Sequence, residues 1–228
     1  RPEIAIVSTD EVKAYKAGKN ATVASSHVID PFDPDRSWSI ESLRGVGGLR
    51  RWTNEDVVPR PGDVFQERLY CIRWVKTVTQ NGKSKQIRRY AAPSEADLER
   101  ESKAFDRLKE RFAEWQREGF IPSKPIIRGY NTEQPIRERG WTHWHHLFTP
   151  RQLLTHGLLA EIAAKAAESK EAQVGCLLGL GRIANWDSRL CQWVADRTKE
   201  GGAHTFANQA LNTLVSFCVR PLHKLNTA

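Results

Sequence analysis

Val64-Phe-Gln-Glu-Arg-Leu-Tyr-Cys-Ile-Arg-Trp-Val-Lys-Thr-Val-Thr-Gln-Asn-Gly-Lys-Ser-Lys-Gln-Ile-Arg-Arg-Tyr-Ala91 is the stretch that decides the fold. Val64 to Thr79 is rich in aromatic and β-branched residues, which suit a pleated strand. Gln80-Asn81-Gly82-Lys83 follows, and Asn-Gly supplies the positive φ angles of a type I′ hairpin turn. Lys85 to Ala91 is then the returning strand. Arg68, Arg73, Lys76, Lys83, Lys85, Arg88 and Arg89 lie here with Tyr70, Trp74 and Tyr90 interleaved, and no acid falls between residues 68 and 90. A basic two-stranded ribbon can enter a DNA major groove or lie along phosphates. It can equally be a solvated outer face whose other side packs on a core, and both readings can hold on opposite faces.

Downstream, Pro93-Ser94-Glu95-Ala96-Asp97 carries a capping signature for a helix. Leu98, Phe105, Leu108, Phe112 and Trp115 recur at helical spacing as one apolar stripe. Gly119 and Pro122 stop the helix. Its outer face alternates acids and bases and reads as solvated surface with i,i+4 pairs. Ile121 to Glu138 reads as a Pro-rich connector bearing Arg128, Tyr130 and Arg137.

The connector delivers the chain to Arg139-Gly-Trp-Thr-His-Trp-His-His-Leu-Phe-Thr-Pro-Arg-Gln-Leu-Leu154. Thr149 is the expected N-cap, Pro150 the first helical residue and Gln152 the capping-box partner. The helix is expected to bury Leu153, Leu154, Leu158, Leu159 and Ile162. Its N-terminus favours anions such as phosphate. Arg can bond guanine O6 and N7, and Trp can stack on or wedge beside a displaced base. Arg137, Arg139, Trp141, Trp144 and Arg151 therefore join Arg73, Lys76, Lys83, Lys85, Arg88 and Arg89 as candidate nucleic-acid contacts.

His143, His145 and His146 invite a metal reading, but no Cys pair or carboxylate cluster joins them, and an aromatic wall with polar edges explains them better. We assign no metal ligand. A metal-dependent nuclease built on these histidines would need carboxylates, and only Glu133 and Glu138 stand near in sequence.

Beyond the helix that opens at Pro150, Glu171 to Ala184 reads as a second, apolar helix, in which Gly179-Leu-Gly181 permits close helix packing rather than nucleotide binding. Asn185 to Arg197 reads as a polar stretch, and Thr205 to Val219 as a last amphipathic helix. Upstream, Ile4 to Val7 is a candidate strand and Asp30 to Trp52 reads as irregular loop. Gly45, Gly47 and Gly48 lack the Lys-Ser/Thr of a phosphate-cradling loop. The expected fold class is α+β, a long β-hairpin with a flanking helix followed by a mainly helical half. The expected divisions are an irregular segment (1–62), the basic hairpin plus helix (63–148) and a helical region (149–228).

The 228 residues carry a net charge of +8, which favours a polyanionic partner. Cys71, Cys176, Cys191 and Cys218 form no C-x-x-C pair, which points to reduced thiols and a cytoplasmic setting. No apolar run is long enough to span a membrane. The chain begins at Arg1 and contains no Met, so a piece of a longer protein is expected.

Several of these runs carry a resemblance. GWTHWHHLFTPRQLL (140–154), GRIANWDSRLCQW (181–193) and TFANQALNTL (205–214) resemble the middle of the adenine-specific DNA methylases that contain a zinc ribbon. Those are large bacterial enzymes often encoded with anti-phage defence genes. GDVFQERLYCIRW (62–74) and RRYAAPSEAD (88–97) extend the likeness over roughly Trp52 to Ala228, with a departure at Ala207, where the family often has an aromatic. The resemblance implies a parent enzyme that uses S-adenosylmethionine, with the cofactor motif upstream and the catalytic loop downstream. A segment between them is where target recognition commonly sits.

Methylation of adenine N6 needs a Gly-rich cofactor turn after a strand, an Asp/Asn-Pro-Pro-aromatic loop for the flipped base, and a DNA-reading surface. This chain has no Pro-Pro dipeptide, no convincing cofactor turn and no paired cysteines for a zinc ribbon. It is expected to bind no cofactor and to be catalytically silent alone. The expected function is a DNA-binding, target-recognition fragment of an adenine methyltransferase from an anti-phage or restriction-modification system. Its expected partners are double-stranded DNA, the remaining methylase domains and other defence-system proteins, with no membrane. The rival expectation is a structural or partner-docking module without DNA contact.

Overall fold

A computed structural model describes residues 22–30, 32–45, 48–80, 82–194, 201–206, 211 and 213. The chain is α+β. It divides into two compact units, Arg1–Gly47 with Glu67–Arg100, and Gly48–Gln66 with Glu101–Ala228. Among the described residues no helix is long and apolar enough to cross a membrane.

In the first unit, strands β1 (Val23–Ala24), β2 (His27–Ile29) and β3 (Ser37–Ser39) form an antiparallel sheet in that order. Asp30 to Trp52, expected to be irregular loop, instead includes β3 and a turn over residues 32–36 that leads into it. Asp30 Oδ1 accepts from the Phe32 N–H at 2.9 Å, and the Arg36 N–H reaches the Asp33 carbonyl at 3.0 Å. Ser39 then caps the short helix α1 (Ile40–Arg44), its hydroxyl accepting from the Ser42 N–H. The candidate strand at Ile4 to Val7 lies outside the described residues.

The hairpin forms as β4 (Ile72–Gln80) and β5 (Lys83–Ala91), paired in unbroken register from Ile72↔Ala91 to Gln80↔Lys83. Gly82 holds φ at +71°, the left-handed value the tight turn needs; Asn81 lies outside the described residues. β4 starts at Ile72 rather than Val64. Residues 64–66 belong to the other unit, where the Gln66 side-chain amide donates to the Arg60 and Asp63 carbonyls, each at 2.8 Å.

Helix α2 (Glu95–Glu118) begins as read: Ser94 Oγ accepts from the Asp97 N–H, and Asp97 Oδ2 accepts in return from the Ser94 N–H at 2.9 Å. It ends at Gly119, where the Phe120 N–H bonds the Trp115 carbonyl at 2.8 Å and the Gly119 N–H bonds that of Gln116 at 3.3 Å. Leu108 and Trp115 are buried and Phe105 and Phe112 partly so, but Leu98 is exposed.

The second unit adds α3 (Glu133–Arg139), a 3-10 turn at Trp144–Leu147, α4 (Pro150–Ala166) and α5 (Lys170–Trp186). A short pair, β6 (Trp193–Val194) and β7 (Gly201–Gly202), follows. Helix α3 replaces part of the expected connector. Pro135 did not forbid it, because it sits in the first turn, where a helical N–H has no intrahelical acceptor. Two apolar clusters form the core, one of Trp52, Trp141, Leu147, Leu190 and Leu211, the other of Val57, Leu108, Trp115, Ile121 and Leu153. Phe148 packs against both.

The box at α4 is as expected: Thr149 donates its N–H to Gln152 Oε1 at 2.8 Å and accepts from the Gln152 N–H at 3.4 Å. The buried face of α4 is not. Leu153 is buried, but so are Gln152, His156, Gly157 and Ala160, while Leu158 and Ile162 are exposed. The helix can turn a polar edge inward because Asp187 meets it there, accepting from Gln152 Nε2 at 3.1 Å with His156 Nε2 3.6 Å away. The run from Asp187 to Cys191, read as part of a polar stretch, is buried at every residue. Helix α5 buries none of its residues, and a Cβ on Gly179 or Gly181 would meet nothing within 4 Å, so the close packing expected of these two glycines is not found within the described residues. Thr205 and Phe206 form a turn, and the rest of the expected last helix lies outside the described residues, Leu211 and Thr213 apart.

Candidate nucleic-acid interface

Register decides which hairpin cations act together. Side chains alternate across a strand, and cross-strand partners share a face. Trp74, Lys76, Val78 and Gln80 therefore share one face with Arg89, Ile87, Lys85 and Lys83 opposite them. Lys76, Lys83, Lys85 and Arg89 are all exposed there. Trp74 and Ile87, each 51% exposed, stand among them. Arg73 and Arg88 fall on the other face, with Val75 and Tyr90. At about 3.4 Å per residue the cationic face runs roughly 20 Å from Lys83 to Arg89. A two-stranded ribbon of this kind fits a B-DNA major groove about 12 Å wide.

The cations of α2 and of the second unit are placed differently. Arg100 pairs with Asp97 at 2.6 Å, Arg107 with Glu110 at 2.9 Å, and Arg111 with Glu161 at 2.7 Å, so the charged surface of α2 is largely neutralised within the chain. Arg151 is held by Glu101 at 2.5 Å, and Arg137 lies 3.2 Å from Glu138. Arg139 donates to the Thr213 carbonyl at 2.6 Å and lies 4.6 Å over the Phe65 ring. Trp141 is 5% exposed and belongs to the first cluster, with Trp144 packed against it. Arg139, Trp141 and Trp144, singled out as candidate base or phosphate contacts, thus serve packing here. The sequence placed them beside a helix N-terminus but could not show which way they face.

The three histidines also turn inward. His146 Nδ1 accepts from the Thr142 N–H at 3.0 Å and the His143 N–H at 3.2 Å, while Nε2 lies 3.0 Å from the Thr53 carbonyl. Two donors aimed at Nδ1 and an acceptor at Nε2 require the neutral ring with its proton on Nε2. Burial, reinforced by the neighbouring His145, pushes its pKa down to about 2. His145 falls to about 4 for the same first reason, burial, with His143 adding to it. Both nitrogens of His146 are occupied, so a metal at Nδ1 would displace the Thr142 and His143 N–H groups, and one at Nε2 would displace the Thr53 carbonyl. Among the described residues no group of three or more His, Cys, Asp or Glu is arranged to hold a metal ion.

Sequence reasoning missed the buried polar centre behind these rings. Arg189, 1% exposed, donates to the His146 carbonyl at 2.6 Å and the Val57 carbonyl at 2.9 Å. Its guanidinium lies 5.4 Å from the Trp52 ring centre and 5.5 Å from that of Trp141. The loop that supplies Trp52 and Val57 is fixed by Asp56, which accepts from Arg50 NH1 and Arg60 Nε at 2.7 Å each. Burial opposes ionisation of Asp56, but the two guanidinium bonds outweigh it and hold the pKa at about 2. Residues 48–62 of the segment expected to be irregular are thus pinned by these ion pairs, with Trp52, Asp56 and Val57 buried.

No protein-family model, no curated protein and no solved structure matches this chain.

Proposed function

We propose that the hairpin face of Trp74, Lys76, Lys83, Lys85 and Arg89 binds double-stranded DNA. The observation that carries this reading is the register: it gathers four exposed cations and an exposed indole on one face of a ribbon that has no acid between residues 68 and 90. Phosphate contacts from such a face position the ribbon, and side chains in the groove read bases. The resemblance of the flanking motifs to zinc-ribbon adenine-specific methylases supports placing this chain as a target-contacting segment of a larger S-adenosylmethionine-dependent enzyme, of an anti-phage or restriction-modification system. Its partners would then be the remaining methylase domains.

A salt series with a labelled duplex tests the reading. Each phosphate neutralised contributes about −0.9 to the slope of log K against log salt. Replacing Lys76, Lys83, Lys85 and Arg89 with Ala should flatten that slope by roughly two to four units. Replacing Arg73 and Arg88, on the opposite face, should change it far less. An unchanged slope in the fourfold variant would leave the ribbon as solvated surface and favour the docking-module reading.

A further inference from the structure

Helix α5 is apolar, yet none of its residues is buried. At about 100° per residue, Glu171, Val174, Gly175, Leu178 and Arg182 fall along one stripe with Gly179 at its edge. Val174 is 55% exposed and Leu178 72% exposed. Glycine weakens a helix, and among the described residues nothing packs within 4 Å of a Cβ placed on Gly175 or Gly179 to offset that.

The order of residues along the stripe is the informative feature. About the midpoint between Cys176 and Leu177, Gly175 mirrors Leu178, Gly179 mirrors Val174 and Glu171 mirrors Arg182. Small inverts to large and negative to positive. An interface between two identical copies about a twofold axis must be complementary to itself, so each side chain has to meet its own mirror position. We propose that α5 is the contact of a homodimer, in which α5 of a second copy packs antiparallel about that midpoint. Leu178 then sits over the partner's Gly175, with Val174 flanking the contact on one side and Gly179 on the other. Glu171 and the partner's Arg182 pair at each end. Helix α4, packed against α5, also leaves Leu158 and Ile162 exposed.

Sedimentation equilibrium of the whole chain tests this. The expected mass rises with concentration from 25.9 kDa toward twice that value. Leu178→Glu, at an exposed position, should raise the dimer Kd by about tenfold or more. Gly175→Leu should do the same by filling the space the partner's Leu178 needs, while circular dichroism shows the helix retained, since leucine favours helix over glycine. Glu171→Arg and Arg182→Glu should each weaken the dimer a few-fold, and the double variant should recover most of the loss. A monomer at every concentration overturns the proposal, as would docking of α5 on another segment of the same chain, which gives that result. Association that survives Leu178→Glu, or a double charge swap no better than either single one, overturns it as well.

Discussion

The Trp115 indole lies against the backbone of Gly157 so closely that a Cβ on the glycine would meet Cε3 and Cζ3 at 2.3 Å. This contact brings α4 onto α2, and Trp115 is 1% exposed, with no room to retreat. Alanine at 157 would raise helix propensity by about 1 kcal/mol. Overpacking a close-packed core costs about 1–3 kcal/mol. We expect Gly157→Ala to be destabilised overall, seen as a lower urea midpoint. A raised midpoint would show that the indole moves aside freely.

Stability should fall on mild acidification. The folded pKa values of His145 and His146 are depressed to about 4 and about 2, from 6.5. The unfolded chain therefore takes up these protons first, and the stability they contribute is full above about pH 6.5 and lost as pH falls toward the folded values. Asp56, depressed from 3.8 to about 2, adds a second loss in the same direction below about pH 4. Urea midpoints between pH 7.5 and 4 provide the check, and a flat profile would contradict the buried neutral rings.

His146 and His145 should differ sharply on replacement by Phe. Loss of His146 strands two N–H donors and the Thr53 carbonyl. Each buried group left unsatisfied costs about 1–3 kcal/mol. His145 makes one long side-chain contact to Gln116 at 3.5 Å and only secondary interactions with the Asp56, Asn54 and Pro122 backbone, so its replacement should cost less than that of His146. Denaturant titration of both variants side by side settles this, and equal losses would count against the assigned hydrogen bonds.

Arg189→Met keeps much of the side-chain volume but removes the donors to the His146 and Val57 carbonyls. We expect a loss of about 2–4 kcal/mol and a red-shifted emission from Trp52 and Trp141, which flank the guanidinium. A variant as stable as the parent would mean that the carbonyls find water.

Trp74 and Trp141 should separate binding from folding. Trp74, half exposed, should be replaceable by Ala with an unchanged melting temperature but weaker DNA binding. Trp141, in the core, should lose about 3–5 kcal/mol of stability. Thermal melts and duplex titrations of the two variants read both effects, and a destabilised Trp74→Ala would move that indole from the binding face to the core.

The hairpin, the two capped helices and the α+β class were legible because each rests on local rules. Asn81-Gly82 sets a turn, Ser94 and Thr149 set helix starts, and alternation sets strands within a few residues. The grouping of Lys76, Lys83, Lys85 and Arg89 was also in reach, since a two-residue loop fixes the register. Helix α3 was hidden by Pro135, whose place in a first turn could be known only once the helix start was known.

What the sequence determined by itself is local backbone geometry and the absence of acids along one ribbon, because turns, caps and alternation depend on neighbours a few residues away. What only the tertiary structure decided is which polar groups lie inside. Arg189 reaches carbonyls 43 and 132 residues away, and Asp187 meets Gln152 and His156 from another helix. Whether a charged or polar side chain can be buried depends on partners distant in sequence that satisfy its hydrogen bonds. No local pattern carries that information, so the Asp187–Cys191 run read as a polar stretch and Leu158 and Ile162 read as core.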